Sequence, residues 1–265
     1  MTDKQPEIGA SAGCFFEFRN VIDQTDKLIA ELVAGRIDQA GEIVKAKQAK
    51  GLPIFSPARQ QLIHLRIEQT CKNASHAQAL HGIFRELMKA SFASAGGLGV
   101  CITASEFDSL KHPALRRFGK SAKFSKVTGL TELAKACLEK SCDIAIVSQS
   151  ALDADLNAEI ICEIGQLGVE IIDEFSLWED APAQGKNRLF VLAKKRENCP
   201  DSSENARNWQ LSRAIVAVQN EGEISLIELG NFADRADFQK KSACLQEKYK
   251  KITILGIFPA QIAIF

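Results

Sequence analysis

The sequence has no excess of one charge and no long apolar run, and each absence excludes a class of protein. Lysine plus arginine and aspartate plus glutamate each number 33 in 265 residues, so the formal net charge is zero. A general nucleic-acid binder needs an excess of cations to displace counterions, so we expect no nucleic-acid partner, although a local cationic pocket is compatible with this balance. Because no segment reaches 18 apolar residues, we also expect no membrane span.

Patterns typical of disulfide frameworks, metal sites and signal peptides are missing as well. The eight cysteines form no Cys-x-x-Cys pair, and we expect free thiols that pack as small hydrophobic side chains in a reducing compartment. No metal site is expected at the histidines, because they lack i,i+4 pairing and a suitably spaced carboxylate: His64, His76, His81 and His112. The first residues are polar and have no apolar core, which predicts a cytoplasmic protein.

Two changes in sequence pattern divide the chain. Residues 15 to about 95 have helical patterns throughout, and Gly96, Gly97 and Gly99 then interrupt them. No Lys-Ser/Thr follows these glycines and no strand precedes them, so they indicate a linker rather than a phosphate-binding loop. Beyond them, short apolar runs alternate with helical patterns, which predicts an α/β sheet domain. A polar stretch around 194–208 indicates a second linker, followed by a small α+β module.

These patterns predict a flexible tail and three domains, whose bounds are 1–14, 15–96, 98–198 and 207–265. The predicted strands are 98–103, 143–148, 169–175, 188–193, 211–218, 224–229 and 252–258. The predicted helices after residue 95 are 105–119, 129–140, 155–167 and 234–248.

The helical third begins with an unusually long helix. Residues 15–50 contain no proline, and their apolar side chains recur at steps of three and four. Such a helix spans on the order of 50 Å, which is too long for a small domain alone, so we expect it to pack along a partner helix. Gly51 and Pro53 end it. Ser56 as N-cap and Pro57 in the first turn begin the second helix, and a third is predicted over 75–95.

Cations occupy positions on the long helix where apolar residues are expected. Arg36 and Lys47 are eleven residues apart, which is three turns, so they face the same way. A buried cation is costly unless it is paired. One interpretation is that both side chains extend to solvent at the edge of the apolar stripe. The other is that, with Arg59 at the start of the next helix, they form a site for a polyanion, and the pattern alone leaves both open.

The order of charged residues and helix breaks resembles that of the all-helical chorismate mutases over about 80 residues. The resemblance rests on Arg19-x-x-Ile22-x-x-x-Asp26, Arg36, Lys47-x-x-x-Gly51-x-Pro53, Pro57-x-Arg59, Phe84-Arg85-Glu86-Leu87-Met88 and Ser91. It implies an intertwined homodimer of three-helix chains that share the long helix. It also implies that chorismate binds in a pocket lined by Arg36, Lys47, Arg59, Gln60 and Ser91, with Arg19 from the other subunit.

The spacing of two arginines independently supports a second chain. Arg19 and Arg36 are 17 residues apart, roughly 25 Å along a straight helix, so they cannot hold one small molecule together. The implied chemistry is a unimolecular rearrangement of chorismate to prephenate, which needs no nucleophile, metal or cofactor. Arg36 and Lys47 are the expected catalytic residues, and Lys47 is the best donor to the ether oxygen.

Three positions depart from the family's pattern. Ser56 replaces an acidic residue, which its N-cap role explains, and Gln60 replaces a glutamate but can still bond the substrate hydroxyl. Ala95 stands where a glutamine or glutamate normally donates to the ether oxygen. Losing such a donor costs a factor of about 100 or more in rate. A weak activity, or a substitute donor from Ser94 or a linker backbone group, are the alternatives.

The remaining two thirds resemble the layout of bifunctional chorismate mutase–prephenate dehydratases, with an α/β dehydratase-like domain and a small α+β ACT-like module. The resemblance lies in residues 118–122, 133–134, 143–147, 187–192 and 253–259. The chemical motifs are absent, because Asn187 replaces the signature threonine, and residues 103–107 and 148–151 replace two further motifs. We therefore predict a degenerate domain without dehydratase activity. Arg188 either caps a sheet edge or contacts a carboxylate.

Chorismate mutase activity in phenylalanine and tyrosine biosynthesis is the leading hypothesis. One alternative is an inactive sensor that binds an aromatic metabolite, which Ala95 favours. The other is a bifunctional mutase–dehydratase, against which Asn187 argues.

Overall fold

The N-terminal third folds as three helices, as predicted. The computed structural model describes residues 12–154, 168–178, 183–195, 212–220, 223–230 and 232–259. Helix α1 spans Ala12–Ala49, α2 spans Pro57–Thr70 and α3 spans Ala74–Ser94. Ser56 occupies the N-cap position of α2, but its side chain makes no capping hydrogen bond. None of the described helices is both long and apolar enough to cross a membrane.

A mixed five-stranded sheet follows the helices. Its strands are β1 Gly99–Thr103, β2 Lys123–Val127, β3 Ile144–Ser148, β4 Val169–Ser176 and β5 Arg188–Lys194. Their order is β2-β1-β3-β5-β4, in which β1 is parallel to β2 and β3, and β5 is antiparallel to both of its neighbours. The helices of this region are α4 Phe107–Phe118, α5 Leu130–Leu138 and α6 Gln149–Ala154.

The C-terminal module is a three-stranded antiparallel sheet with one helix. Its elements are β6 Ser212–Asn220, β7 Glu223–Leu229, α7 Arg235–Lys248 and β8 Lys251–Pro259. The strand order is β7-β6-β8. Strand β8 contacts both β4 and α2, so the module packs against the larger sheet and the helical region. Its ACT-like character stays a prediction.

Two apolar clusters cover the two faces of the larger sheet. On one face, helix α4 and residues of the helical third, among them Val44, Phe55 and Phe92, pack against β1, β3 and β5. On the other, α5 and residues of the small sheet, among them Ile215 and Leu255, pack against the same sheet. Burial of these side chains is the main stabilising contribution. Both clusters extend across the predicted domain bounds, which themselves stay predictions.

The glycines after α3 form a tight turn in which Gly96 is exposed and Gly97 is buried. Gly96 and Gly97 have φ values of +96° and +90°. A Cβ at Gly97 would lie 2.0 Å from the Ser121 carbonyl oxygen, so any side chain there would collide with backbone. Only glycine combines this conformation with this approach. The break that the sequence predicts is therefore present, and it joins the helices tightly to the first strand of the sheet.

All seven predicted strands and three of the predicted helices after residue 95 are confirmed, with ends shifted by one or two residues. The helix predicted over 155–167 lies outside the described residues. Strand β2 and helix α6 were not predicted. Three of the five β2 residues are exposed, at the edge of the sheet, so this strand has no apolar alternation to detect. Helix α6 has only six residues, too few to establish a helical period.

Candidate functional site

Arg36 and Ser91 join α1 to α3. The Nη1 group of Arg36 donates to the Ser91 hydroxyl oxygen over 3.3 Å, and that hydroxyl donates to the Leu87 carbonyl over 2.7 Å. The bond to Leu87 directs the Ser91 proton away and leaves its lone pairs for Arg36. The guanidinium carbon of Arg36 lies 5.4 Å from the centre of the Phe84 ring, within range of a cation–π contact. The fold thus brings together Arg36 and Ser91, two of the predicted site residues.

Arg59 lies close enough to Arg36 for its positive charge to lower the pKa of the Arg36 guanidinium. The pKa of Arg36 is lowered, first by burial and then by the positive charge of Arg59. Within the described part of the chain, neither guanidinium forms an ion pair with a carboxylate. Two neighbouring cations without an acidic partner create a positive potential that an anion would neutralise.

Lys47 lies in the last turn of α1, three turns beyond Arg36 and on the same side of the helix. Its side chain is half-buried, as is that of Arg36, whereas Asp38, Gln39 and Glu42 between them are exposed. Lys47 and Arg36 thus lie on the same side of α1, and Arg36 reaches α3 through Ser91; their role in a site stays a prediction.

Gln60 has a partner that the sequence did not predict. Its side-chain oxygen Oε1 accepts a hydrogen bond from Nη2 of Arg117 over 3.1 Å. Arg117 belongs to α4, in the α/β region, and the same nitrogen donates to Oδ2 of Asp173 on β4 over 2.8 Å. Gln60 therefore connects the helical region to the larger sheet.

Arg19 lies apart from the other predicted site residues. It is on the N-terminal part of α1, where every described side chain from residue 15 to residue 32 is exposed. Phe18 and Leu32 are 62% and 65% exposed. The large exposed apolar side chains of this segment are Phe15, Phe16, Phe18, Val21, Ile22, Leu28, Ile29 and Leu32. A soluble monomer rarely leaves a contiguous apolar surface of this size uncovered.

The end of α3 supplies no donor from its side chains. Ala95 packs against the apolar cluster that includes Phe92 and Leu98. The Ser94 hydroxyl donates to the Ser91 carbonyl over 3.0 Å, and a Cβ at Gly41 would lie 2.2 Å from the Ser94 oxygen. The backbone amides of residues 95–97 donate to carbonyls of α3. The Ser94 hydroxyl and these three amides are thus already bonded within the helix end.

Arg188 contacts carboxylates of the protein itself. It is buried at the start of β5, pairs with Glu174, and its Nη1 lies 2.8 Å from Glu228. Arg213 lies 3.1 Å from Glu174 and 3.2 Å from Glu228, so two arginines balance two glutamates. The alternative that Arg188 caps a sheet edge is wrong, because β5 lies between β3 and β4.

Residues that replace the two dehydratase motifs meet at the carboxyl ends of β1 and β3. The Thr103 hydroxyl lies 3.4 Å from Glu106 Oε2, and the same oxygen accepts from the Ser148 amide over 3.5 Å. The Ser148 hydroxyl accepts from the Ala151 amide at the start of α6. These groups therefore bond largely to one another.

A histidine pair between α2 and α3 was missed by the sequence analysis. His64 and His81 share a 2.7 Å hydrogen bond between their Nδ1 atoms, and His81 Nε2 lies 2.5 Å from Glu68 Oε1. The pKa of His64 is lowered to about 4 by burial, by His81 and by the charges of Arg85 and Arg117. The helical period offered one signal, because His81 falls on the buried face of α3, but it does not identify a partner 17 residues away.

The helical third matches a known family. Residues 18–95 match the family model described as chorismate mutase type II, and they form a domain of that family. A chorismate mutase from Methanocaldococcus jannaschii is 38% identical over 56 residues, 21% of this chain and 57% of that relative. The T-protein of Haemophilus influenzae is 27% identical over 84 residues, 31% of this chain and 22% of that relative. The chain thus spans less than two thirds of the length of either relative.

Two solved structures are similar to this chain at TM-scores below 0.5. The quorum quenching acylase GqqA has a TM-score of 0.44 and 10% identity, and the likeness covers 62% of this chain and 95% of that one. The prephenate dehydratase from Streptococcus mutans has a TM-score of 0.39 and 14% identity, covering 62% of this chain and all of that one.

Proposed function

We propose that the chorismate mutase type II domain at residues 18–95 rearranges chorismate to prephenate, an isomerase step of aromatic amino acid biosynthesis in the cytoplasm. The observation that carries the proposal is the pair of Arg36, which donates to Ser91, and Arg59, whose charge lowers the pKa of Arg36; neither has a carboxylate partner among the described residues. Chorismate is a dianion, and guanidinium groups bind carboxylates through paired, charge-assisted hydrogen bonds.

The chemistry that these residues supply is positioning and charge stabilisation. The rearrangement breaks a carbon–oxygen ether bond and forms a carbon–carbon bond within one molecule. Arg36 and Arg59 hold the carboxylates so that the reacting ends of the substrate stay close, which lowers the entropic part of the barrier. Lys47 donates to the ether oxygen, where negative charge develops in the transition state. Ser91 and Gln60 bond the remaining polar groups of the substrate.

The active form is a homodimer in which a second chain covers the N-terminal part of α1 and contributes its Arg19. The exposed apolar stripe of residues 15–32 supports this arrangement, because burying one large aliphatic or aromatic side chain contributes about 1.5–3 kcal/mol. Sedimentation equilibrium at micromolar concentration should find a dimer, and a monomer that retains full activity would contradict this part of the proposal.

We expect no prephenate dehydratase activity. The guanidinium of Arg188 is neutralised by Glu174 and Glu228, and is thus not available to a substrate carboxylate. Asn187 replaces the signature threonine of that family. Formation of phenylpyruvate from prephenate by the purified protein would contradict this expectation.

A chorismate-consumption assay with product identification tests the main proposal. The wild type should form prephenate, and Arg36→Ala should lower kcat/KM by at least about 100-fold, because it removes a charge-assisted contact to the dianion. Arg66→Ala is the matched control, since Arg66 is an exposed arginine on the same helix as Arg59. A wild type that only matches the uncatalysed rate would overturn the proposal.

Ala95 favours a second candidate function, a sensor that binds an aromatic metabolite without converting it. Calorimetry that shows tight binding of prephenate or phenylalanine, in a protein without turnover, would support the sensor.

A further inference from the structure

Arg117 on helix α4 of the α/β region forms a hydrogen bond with Gln60 on helix α2 of the mutase domain. Nη2 of Arg117 lies 3.1 Å from Gln60 Oε1 and 2.8 Å from Asp173 Oδ2. Gln60 follows Arg59, one of the two guanidiniums proposed to hold the substrate. The mutase domain thus has a pocket residue whose hydrogen-bond partner comes from a different part of the fold.

The position of Arg117 is firmly held. Asp173 is 4% exposed, and a buried carboxylate that loses its cation is strongly destabilised, so this ion pair is costly to break. The guanidinium carbon of Arg117 also lies 6.0 Å from the Phe55 ring centre and 5.8 Å from that of Phe118. Because two aromatic rings and one buried carboxylate restrain it, Arg117 presents its donor to Gln60 in one orientation.

This contact decides which end of the Gln60 amide remains available. Arginine has only donors, so the amide oxygen of Gln60 must be the atom that faces Arg117. The amide NH2 group is then left to donate elsewhere. A glutamate at this position can only accept from a substrate hydroxyl, whereas Gln60 in this orientation donates to the hydroxyl oxygen. By occupying one lone pair of the amide oxygen and fixing the orientation of the amide, Arg117 favours the arrangement in which Gln60 is the donor in that hydrogen bond.

We propose that Arg117, anchored by Asp173, is a positioning residue of the mutase site that orients Gln60 to donate to the hydroxyl of bound chorismate. This inference rests on the proposed function, and it makes the α/β region a part of the mutase site. A neighbour supplies the comparison, because Arg116 donates to the carbonyls of Ser176 and Leu177, within the α/β region.

The test combines Arg117→Met with Gln60→Ala in a double-mutant cycle, in the full chain. Arg117→Met keeps an unbranched apolar stem beside the two rings and removes the donors. We expect KM for chorismate to rise about tenfold with a smaller change in kcat, because orientation of a binding group is lost. In the Gln60→Ala background the same substitution should change KM by less than about twofold, since its target is gone. Arg116→Met should leave KM unchanged in both backgrounds.

A second variant and a binding measurement keep the inference testable if Arg117→Met does not fold or if turnover is too slow to measure. Arg117→Lys keeps a cation beside Asp173, and should give a KM between those of wild type and Arg117→Met, even if Arg117→Met does not fold. Calorimetric titration with prephenate, the product of the proposed reaction, should show the same ranking of affinities. An active wild type with equal KM shifts from Arg117→Met in both Gln60 backgrounds, or with no shift, overturns this inference alone. A wild type that neither converts chorismate nor binds prephenate overturns both proposals.

Discussion

Arginines cluster in two regions of the molecule, and the difference between the clusters is their balance. Around Arg188 and Arg213 in the sheets, Glu174 and Glu228 supply one negative charge for each positive one. Around Arg36 in the helices, burial lowers the pKa of the guanidinium first, and the neighbouring charge that lowers it further is another cation, Arg59. A balanced cluster compensates its own charges and has no need of a ligand, whereas the repulsion within an unbalanced one disfavours the empty protein and is relieved by an anion.

The largest effect should follow from breaking the balanced cluster. Glu174→Gln removes the carboxylate shared by Arg188 and Arg213 and leaves Arg188 buried with one partner. Loss of one partner of a buried pair costs about 3–5 kcal/mol, so the free energy of unfolding in urea should fall by that amount. Glu86→Gln is the control, because Glu86 is exposed where it pairs with Lys89, and such a surface pair contributes about 0–1 kcal/mol. Equal stabilities for the two variants would contradict the comparison.

Removing one cation from the unbalanced cluster should not lower the free energy of unfolding, in contrast to breaking the balanced cluster. Arg36→Met keeps the apolar contact with Phe84 but removes the repulsion with Arg59. We expect the free energy of unfolding to stay equal or rise slightly, even though the proposed mutase activity is lost. Prephenate at about 100 times its Kd should stabilise the wild type by about 2.7 kcal/mol and leave Arg36→Met unchanged. A ligand-free variant less stable than wild type would show that Arg36 has a structural role.

The smallest effect concerns His64, which lies near the cations of the helical region. Its pKa is lowered to about 4 in the folded chain, against an ordinary value of 6.5, because burial and positive neighbours disfavour its charged form. The neutral form therefore stabilises the fold fully above pH 6.5, and this stability is lost as the pH falls from 6.5 toward 4.

His64→Gln tests that assignment. Between pH 7 and pH 5 the wild type should lose about 1 kcal/mol more unfolding free energy than the variant, after allowance for solvent screening. Parallel stability curves for wild type and variant over that range would show that His64 does not titrate as described.

Much of the helical region was predictable because its signals are local. The long helix, its end at Gly51 and Pro53, the start of α2 at Pro57, and the shared side of Arg36 and Lys47 all follow from local sequence signals. The seven predicted strands are buried or alternating apolar runs, and strand β2 escaped prediction because its residues are mostly polar. The match of residues 18–95 to the family confirms the resemblance that these positions carry.

The sequence could not predict which side chains from distant elements contact one another. Gln60 was assigned to the substrate alone, yet it also bonds Arg117, 57 residues away. Arg188 was left with two interpretations until Glu174 and Glu228 came beside it from two other strands.

The sequence by itself determined the three helices, the α/β alternation and the positions of the cations, because helical and strand periods are properties of neighbouring residues. Only the tertiary structure decided which cations are neutralised and which remain open to an anion. Coulomb energy depends on distance in space and on burial, and neither can be read from the spacing of residues that belong to different elements.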